Sequence, residues 1–164
     1  MIQKSSSLFA VIVFALTSLV IDPHAVSQTI PPFQMMLSGN KIFKASDLPK
    51  GKPVVLIYFD PDCDHCQKLM DELFKKINDF KKAEIVMVTY KPLDELPPFE
   101  KKHNTPKYSN IKVGTEGTGF YLRNYYGLMK MPFTALYDKK GNLSYSYKEQ
   151  TPVDDLIKHL KNLK

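Results

Sequence analysis

The residues best suited to chemistry in this sequence are two cysteines separated by two residues. Cys63, Asp64, His65 and Cys66 form a Cys-x-x-Cys motif, and the chain of 164 residues contains no further cysteine. Thiols at this spacing can close a disulfide and open it again when a thiolate attacks a disulfide sulfur. The motif therefore predicts redox chemistry at sulfur.

The segments on either side of the motif determine where the two thiols lie. Residues 54–59 form a continuous apolar run, typical of a strand buried on both faces. From residue 66 to residue 80 the apolar side chains recur at helical spacing instead, at Cys66, Leu69, Met70, Leu73, Phe74, Ile77 and Phe80. The sequence thus predicts a strand that ends before the motif and a helix that begins at it, with Asp62 as the N-cap.

This placement predicts different roles for the two thiols. The positive end of a helix dipole stabilises a thiolate and lowers the pKa of a thiol from about 8.5. Cys63 is expected to be the more exposed residue and the nucleophile, and Cys66, on the apolar face, the buried resolving thiol. His65 is a candidate for tuning the thiol pKa, because a cationic imidazole favours the thiolate. The acidic residues around the motif oppose that effect.

A structural disulfide and a metal site are the two alternatives for the cysteine pair. A bridge over so short a loop restricts the unfolded chain little, which disfavours a structural role. A zinc site needs about four ligands, and His65, His103 and His159 show no ligand spacing. The sequence therefore predicts no metal site and no cofactor.

The first 27 residues have the layout of a secretory signal peptide. Lys4 precedes an apolar run over residues 8–21, and small residues at Ala25 and Ser27 suit cleavage after Ser27. This apolar run is shorter than a membrane-spanning helix, which needs about 20 residues. The alternative is that the segment is an uncleaved membrane anchor. We expect an exported protein, periplasmic or secreted, with no stable membrane insertion after cleavage and one domain over residues 28–164.

Composition restricts the class of protein further. Hydrophobic residues make up 43% of the chain and the formal net charge is +6, an ordinary mixture for a folded domain rather than a disordered chain. The basic residues are spread along the sequence with acidic residues between them. No interleaving of basic and aromatic residues suggests a nucleic-acid partner.

The rest of the chain alternates between strand and helix patterns. Residues 85–90 complete a strand–helix–strand unit, whose crossover is expected to be right-handed. The other segments are predicted as an irregular arm at 28–36, an edge strand at 41–45, a short helix at 94–102, a loop at 105–119, a helix at 119–126, a hairpin at 133–147 and a helix from 151 onward. The order predicts an α/β fold with helices on both faces of a mixed sheet, parallel at first and ending in an antiparallel hairpin and a helix.

Two segments resemble the active-site segments of the thioredoxin-fold superfamily. One runs VVLIYF-DPDCDHC-QKLMDELFKKI over residues 54–77, and the other is KMPFTALY at 130–137. The resemblance covers most of residues 38–164 and is greatest to exported TlpA/ResA-like thiol-disulfide oxidoreductases. It implies a thioredoxin-like three-layer α/β/α sandwich with a cis-proline at Pro132 that faces the dithiol. It also implies that the backbone of Met131 pairs with a bound substrate chain.

The implied substrates are protein disulfides or dithiols, together with a redox partner that the sequence does not identify. Three positions depart from the family pattern. Asp62 replaces the tryptophan that usually precedes the first cysteine, Ile57 occupies the position of a buried acid, and Asp71 replaces a helix proline.

Two other functions compete with the oxidoreductase interpretation. A peroxiredoxin-like (AhpC/TSA-type) thiol peroxidase shares the fold but uses a Pro-x-x-x-Thr-x-x-Cys setting, whereas Pro61 lies two residues before Cys63 and no threonine intervenes. A non-catalytic or copper-carrying module would add a distant histidine such as His103, and its cysteines are usually one residue further apart. Four aromatic residues are candidates either for a substrate surface or for packing: Phe120, Tyr121, Tyr125 and Tyr126.

Overall fold

A mixed seven-stranded sheet organises residues 28–163, the part of the chain that the computed structural model describes. The strands are β1 (Gln34–Leu37), β2 (Lys41–Lys44), β3 (Val54–Tyr58), β4 (Glu84–Thr89), β5 (Ile111–Thr115), β6 (Phe133–Tyr137) and β7 (Leu143–Lys148). Across the sheet they lie in the order β2-β1-β5-β4-β3-β6-β7. The central strands β3, β4 and β5 are parallel, and an antiparallel hairpin flanks them on each side. The predicted signal peptide, residues 1–27, lies outside the described residues.

Helices cover both faces of the sheet. They are α1 (Asp64–Lys75), α2 (Leu96–His103), α3 (Tyr121–Tyr125) and α4 (Val153–Asn162). Side chains of α1, α2 and α4 pack on one face with Val55 and Ile57 of β3. On the other face, α3 and the segment around Phe33 pack with Val54 and Leu56. The predicted three-layer α/β/α fold is therefore confirmed.

The apolar run of β3 explains why this strand lies in the middle of the sheet. All five of its residues are buried, and alternate side chains enter the two cores because successive residues of a strand point to opposite faces. Burying one aliphatic side chain contributes about 1.5–3 kcal/mol. A strand that buries both faces is therefore most stable between other strands, as β3 is between β4 and β6.

Two segment predictions are wrong. Part of the predicted arm at 28–36 forms β1, and part of the predicted loop at 105–119 forms β5, which pairs with both β1 and β4. Three glycines, Gly114, Gly117 and Gly119, give the second segment the pattern of a loop. A Cβ at Gly114 would lie 2.8 Å from side-chain atoms of Met35 and 2.9 Å from the carbonyl oxygen of Met36. The glycine is thus required by the close approach of β1 rather than by a turn.

Two helix boundaries also have local causes. The apolar periodicity continues to Phe80, but α1 ends at Lys75 and a 3₁₀ turn, Ile77–Phe80, carries the pattern on. Pro97 and Pro98 lie in the first turn of α2, where helix N–H groups have no partner within the helix, so prolines are tolerated there.

The first described residues lie near the N-terminal end of β3, at the opposite end of the strand from the dithiol loop. Thr29 forms an isolated bridge with Asn142, and the N–H of Leu143 donates to the carbonyl of Gln28 at 2.7 Å. The turn between β6 and β7 is at that end because β6 runs antiparallel to β3, with Phe133 opposite Tyr58. The chain then crosses one face of the sheet to reach β1.

Candidate active site

The two cysteines lie where the loop after β3 passes into α1. The N–H of Cys63 donates to the carbonyl of Asp60 at 3.1 Å, and the carbonyl of Cys63 accepts the N–H of Gln67 at 2.9 Å. The N-cap of α1 is Cys63 itself, without a side-chain cap, so the prediction of Asp62 as the N-cap is wrong. The free N–H groups of the first turn therefore lie close to the sulfur of Cys63.

The two thiols differ in accessibility. Both cysteines are free; Cys63 is partly exposed and Cys66 is 1% exposed. Burial raises the pKa of the Cys66 thiol to about 12, and the neighbouring Cys63 adds to this increase. The N–H of Asp60 donates to the Cys66 Sγ at 3.4 Å and acts in the opposite direction. The expected order of exposure is thus present in the structure.

A segment distant in sequence faces the first cysteine. The peptide bond between Met131 and Pro132 is cis, as the family resemblance implies. The Cys63 Sγ donates to the carbonyl of Met131 at 3.8 Å, and the Met131 side chain packs against both cores. The structure therefore brings the predicted docking residues Met131 and Pro132 next to the predicted nucleophile.

His65 lies on the outer surface of the first turn of α1. It is exposed and lines a pocket of about 300 Å³ together with Lys68, Glu72 and Glu149. Its predicted effect on the thiols stays a prediction.

Sequence reasoning missed the residues that contact the acidic loop before Cys63. The Tyr90 hydroxyl donates to Asp60 Oδ2 at 2.6 Å, and the Lys91 Nζ donates to Asp62 Oδ2 at 2.6 Å. The hydrogen bond to Asp60 raises the pKa of Tyr90, and the one to Asp62 raises the pKa of Lys91. Tyr90 and Lys91 directly follow β4, and the carboxyl ends of neighbouring parallel strands meet at one edge of a sheet. Their position at the end of a predicted strand parallel to β3 was the feature of the sequence that could have placed them beside the dithiol.

A cavity of about 450 Å³ opens between α1 and α2 on this side of the dithiol. Its wall combines the buried thiol, acidic and basic side chains and an apolar floor: Phe59, Asp60, Pro61, Asp62, Cys66, Gln67, Met70, Glu95, Pro98, Phe99, Lys102 and His103. We call this cavity, with Tyr90 and Lys91 beside it, the charged side of the dithiol. His103 stacks on Phe74 at 4.7 Å, and burial lowers the pKa of its imidazole.

The aromatic side of the dithiol is formed by α3 and the chain up to Met131. Tyr121 and Tyr125 stack at 6.3 Å and are 42% and 43% exposed, so they are available to a partner. Phe120 packs against Tyr90 at 5.9 Å, and Tyr126 packs against Phe133 at 4.5 Å. The packing alternative therefore holds for Phe120 and Tyr126. Tyr125 also contacts the Tyr126 ring, at 4.8 Å, but it remains exposed, as does Tyr121.

Glu116 joins α3 to the sheet. Its carboxylate accepts the Tyr58 hydroxyl at 2.7 Å and the N–H of Leu122 at 2.7 Å. Glu116 directly follows β5, at the same edge of the sheet as the dithiol. Sequence reasoning also missed this carboxylate.

The departures from the family pattern are visible in the structure. Ile57 is fully buried in β3, and no carboxylate occupies its place. Asp71 is exposed on α1, with its carboxylate 3.9 Å from Lys102. Within residues 28–163, no group of three or more His, Cys, Asp or Glu side chains is arranged to hold a metal ion.

Comparison with known proteins identifies the family of this chain. Residues 26–157 match the family described as AhpC/TSA. The chain belongs to the AhpC/TSA family. No curated protein matches this AhpC/TSA-family chain closely enough to count as a relative. No helix within residues 28–163 has the length and apolar character needed to cross a membrane.

Solved structures similar to this AhpC/TSA-family chain have the thioredoxin fold. The exposed lipoprotein thioredoxin Etrx1 of Streptococcus pneumoniae is 22% identical, with a TM-score of 0.61 over 81% of this chain and 100% of that one. A secreted Mycobacterium tuberculosis disulfide oxidoreductase homologous to E. coli DsbE is 18% identical, with a TM-score of 0.66 over 80% and 96%. A peroxiredoxin-like protein from Aquifex aeolicus is 15% identical, with a TM-score of 0.68 over 84% and 86%. The thioredoxin-like fold is thereby confirmed, and the family is one of thioredoxin-like oxidoreductases.

Proposed function

We propose that this chain is an exported thiol-disulfide oxidoreductase that exchanges electrons between its Cys63–Cys66 pair and protein disulfides. The observation that carries the proposal is the unequal pair of thiols at the start of α1. Cys63 is accessible and contacts the Met131 carbonyl, whereas Cys66 is buried directly behind it. Such a pair suits attack by one sulfur and release by the other.

The proposed exchange proceeds through a mixed disulfide. The Cys63 thiolate attacks one sulfur of a substrate disulfide, forms a new S–S bond, and displaces the other substrate sulfur as a thiolate that takes up a proton. Cys66 then loses its proton and attacks Cys63, which closes the Cys63–Cys66 disulfide and frees the second substrate thiol. Two electrons pass from the dithiol to the substrate, and the reverse sequence oxidises a substrate dithiol. A separate redox partner, not identified by the sequence, returns the pair to its starting state.

The proposed substrate site lies on the aromatic side. The Met131 backbone next to Pro132 would pair with an extended substrate chain, and the exposed rings of Tyr121 and Tyr125 would contact residues further along it. Such rings offer large rigid contact surfaces. His65 would favour the thiolate when protonated.

Export is part of the proposal. The signal-peptide layout of residues 1–27 supports it, and so does the compartment of two similar proteins. The Streptococcus protein is an exposed lipoprotein, and the Mycobacterium protein is secreted. Outside the cytosol a disulfide between Cys63 and Cys66 can persist.

The test is disulfide exchange by matched cysteine variants. Wild-type protein is expected to accelerate the reduction of insulin by dithiothreitol. Cys63→Ser is expected to abolish this activity, and Cys66→Ser is expected to accumulate a mixed disulfide with insulin that gel electrophoresis without reductant detects. Undiminished exchange by the Cys63→Ser protein would rule out the proposal.

A peroxiredoxin-like peroxidase is the second candidate, favoured by membership of the AhpC/TSA family and by the Aquifex neighbour. Its test is hydrogen peroxide consumption by the same proteins. The oxidoreductase proposal expects a rate close to that of a free thiol. A much higher rate that needs Cys63 but not disulfide substrates would favour the peroxidase.

A further inference from the structure

Lys91 brings a positive charge from outside the dithiol segment to the acidic loop before Cys63. Its Nζ lies 2.6 Å from Asp62 Oδ2, 3.5 Å from Asp60 Oδ1 and 3.9 Å from Glu95 Oε2. The Lys91 side chain is 21% exposed. One cation thus contacts three carboxylates. Asp60 is 15% exposed and Asp62 is 73% exposed, so salt screens the pair with Asp62 more than the pair with Asp60.

The backbone around Lys91 is held by the sheet. The Lys91 carbonyl accepts the Thr115 hydroxyl at 2.6 Å, and the Lys91 N–H donates to Thr89 Oγ1 at 3.3 Å. The adjacent Tyr90 hydroxyl donates to Asp60 at 2.6 Å. The ends of β4 and β5 therefore fix the position from which the amine reaches the loop.

The acids that Lys91 contacts adjoin both sulfurs. Asp62 directly precedes Cys63, and Asp60 donates its N–H to the Cys66 Sγ at 3.4 Å. A carboxylate near a thiolate raises the energy of the thiolate, and a cation on that carboxylate offsets the effect. Lys91 therefore pairs with the two acids of the loop that leads into the dithiol.

Other charged or titratable groups surround the same region. Asp64 and His65 are exposed on α1, and Arg123 lies over the Tyr90 ring at 5.8 Å. The charged or titratable groups in and around the loop and the dithiol include Asp60, Asp62, Cys63, Asp64, His65, Cys66, Tyr90, Lys91, Glu95, Lys102, His103 and Arg123. Within this set, Lys91 is the lysine that forms ion pairs with Asp60 and Asp62.

We propose that Lys91 is a positioning residue that raises the reactivity of the Cys63 sulfur toward disulfides. It neutralises Asp60 and Asp62 and holds the loop that carries them. The inference rests on the proposed function, in which the Cys63 thiolate attacks the substrate disulfide. Lys91 leaves the bonds formed and broken in that attack unchanged; it changes how readily the Cys63 sulfur reacts.

The test measures the rate of Cys63 modification by iodoacetamide against pH in the reduced full-length chain. Lys91→Met is expected to slow the modification about three- to tenfold on the acidic side of the profile, because the loop carboxylates lose their counter-charge. High salt is expected to reduce this difference. Lys91→Arg is expected to behave like wild type. Lys102→Met is the matched control, because that lysine also lines the cavity but is paired with Asp71.

A second variant keeps the inference testable if Lys91→Met does not fold. Asp62→Asn alone is expected to accelerate Cys63 modification, since it removes a negative charge beside the sulfur. Adding it to Lys91→Met is expected to return the rate to within about twofold of wild type. A purely structural clamp would predict slower or unchanged rates in all three proteins.

A folded Lys91→Met protein with the wild-type rate profile would overturn the inference, and so would an Asp62→Asn protein that is not faster. Failure of the proposed function would be distinguishable from failure of this inference. The rate of Cys63 modification can be measured even in a wild-type protein that does not exchange with protein disulfides.

Discussion

The charged side and the aromatic side of the dithiol are held together by different kinds of contact. On the charged side, ion pairs link Lys91 to the loop, and the side chains involved are partly or largely exposed. On the aromatic side, Glu116 accepts hydrogen bonds from the buried Tyr58 and from the backbone of α3. Exposed ion pairs contribute about 0–1 kcal/mol each, whereas an unsatisfied buried polar group costs about 1–3 kcal/mol. The charged side can thus adjust sulfur chemistry at little cost in stability. On the aromatic side, loss of Glu116 would leave the Tyr58 hydroxyl and the Leu122 N–H without their acceptor.

The largest expected difference is between the two thiols, which belong to different sides. Cys63 contacts Met131 on the aromatic side, and Cys66 lines the cavity on the charged side. Burial raises the pKa of Cys66 to about 12, so at pH 8 iodoacetamide is expected to modify Cys63 at least about 100-fold faster than Cys66. Peptide mass spectrometry over time measures both rates. Comparable rates in the folded protein would contradict the assignment of the two thiols.

A stability comparison between Glu116 and Glu95 tests how each side is held. Glu116→Ala is expected to lower the free energy of unfolding by about 1–3 kcal/mol, because the Tyr58 hydroxyl and the Leu122 N–H lose their acceptor. Glu95→Ala removes an ion pair of 3.9 Å with Lys91 and is expected to cost less than about 1 kcal/mol. Urea denaturation measures both. Equal losses would mean that the two sides do not differ in this way.

The exposed rings of the aromatic side are expected to matter for polypeptide substrates alone. In the Tyr121→Ser/Tyr125→Ser protein, kcat/KM for insulin is expected to fall about five- to tenfold, corresponding to about 1 kcal/mol of lost contact. The rate with a small aromatic disulfide is expected to stay within about twofold, since that molecule needs only Cys63. Lys101→Ser/Lys107→Ser, at exposed positions in α2 and in the turn that follows it, serves as the control. An equal loss with both substrates would indicate damage to the site rather than lost docking.

The smallest expected effect is a pH dependence from His103 on the charged side. Burial lowers the pKa of this imidazole from about 6.5, so the unfolded chain binds the proton more readily than the folded one. The resulting stability is present above about pH 6.5 and is lost as pH falls through the lowered value. His103→Phe keeps the aromatic stacking, and its Tm is expected to fall less than that of wild type between pH 7.5 and 5, by on the order of 2 °C. Scanning calorimetry at the two pH values measures this, and identical falls would contradict it.

The sequence predicted local features well and missed features that depend on distant contacts. The β3 strand and the burial of Cys66 follow from periodicity within a few residues. By contrast, the glycines of β5 and the segment after it are typical of a loop. Gly114 is needed instead because Met35, about eighty residues earlier in the chain, packs against it. The N-cap was assigned to Asp62, whose carboxylate is instead engaged by Lys91 from the next strand.

The candidate site shows the same division. Cys63 and Cys66 were identifiable from spacing, and Met131 and Pro132 from a family resemblance. Tyr90, Lys91 and Glu116 carry no motif of their own. They reach the site because parallel strands end at a common edge, and the order of strands in a sheet is not encoded by spacing along the chain. Their roles could be found only after β4 and β5 were located in the sheet.

The bridge between Thr29 and Asn142 has a consequence for orientation. The bridge holds the start of the domain at the N-terminal end of β3, one strand length away from the two sulfurs. Gln28, the first described residue, therefore lies at the end of the sheet opposite to Cys63. A domain held to a surface at Gln28 would therefore present Cys63 on the side away from that surface. The sheet would separate the dithiol from the point of attachment.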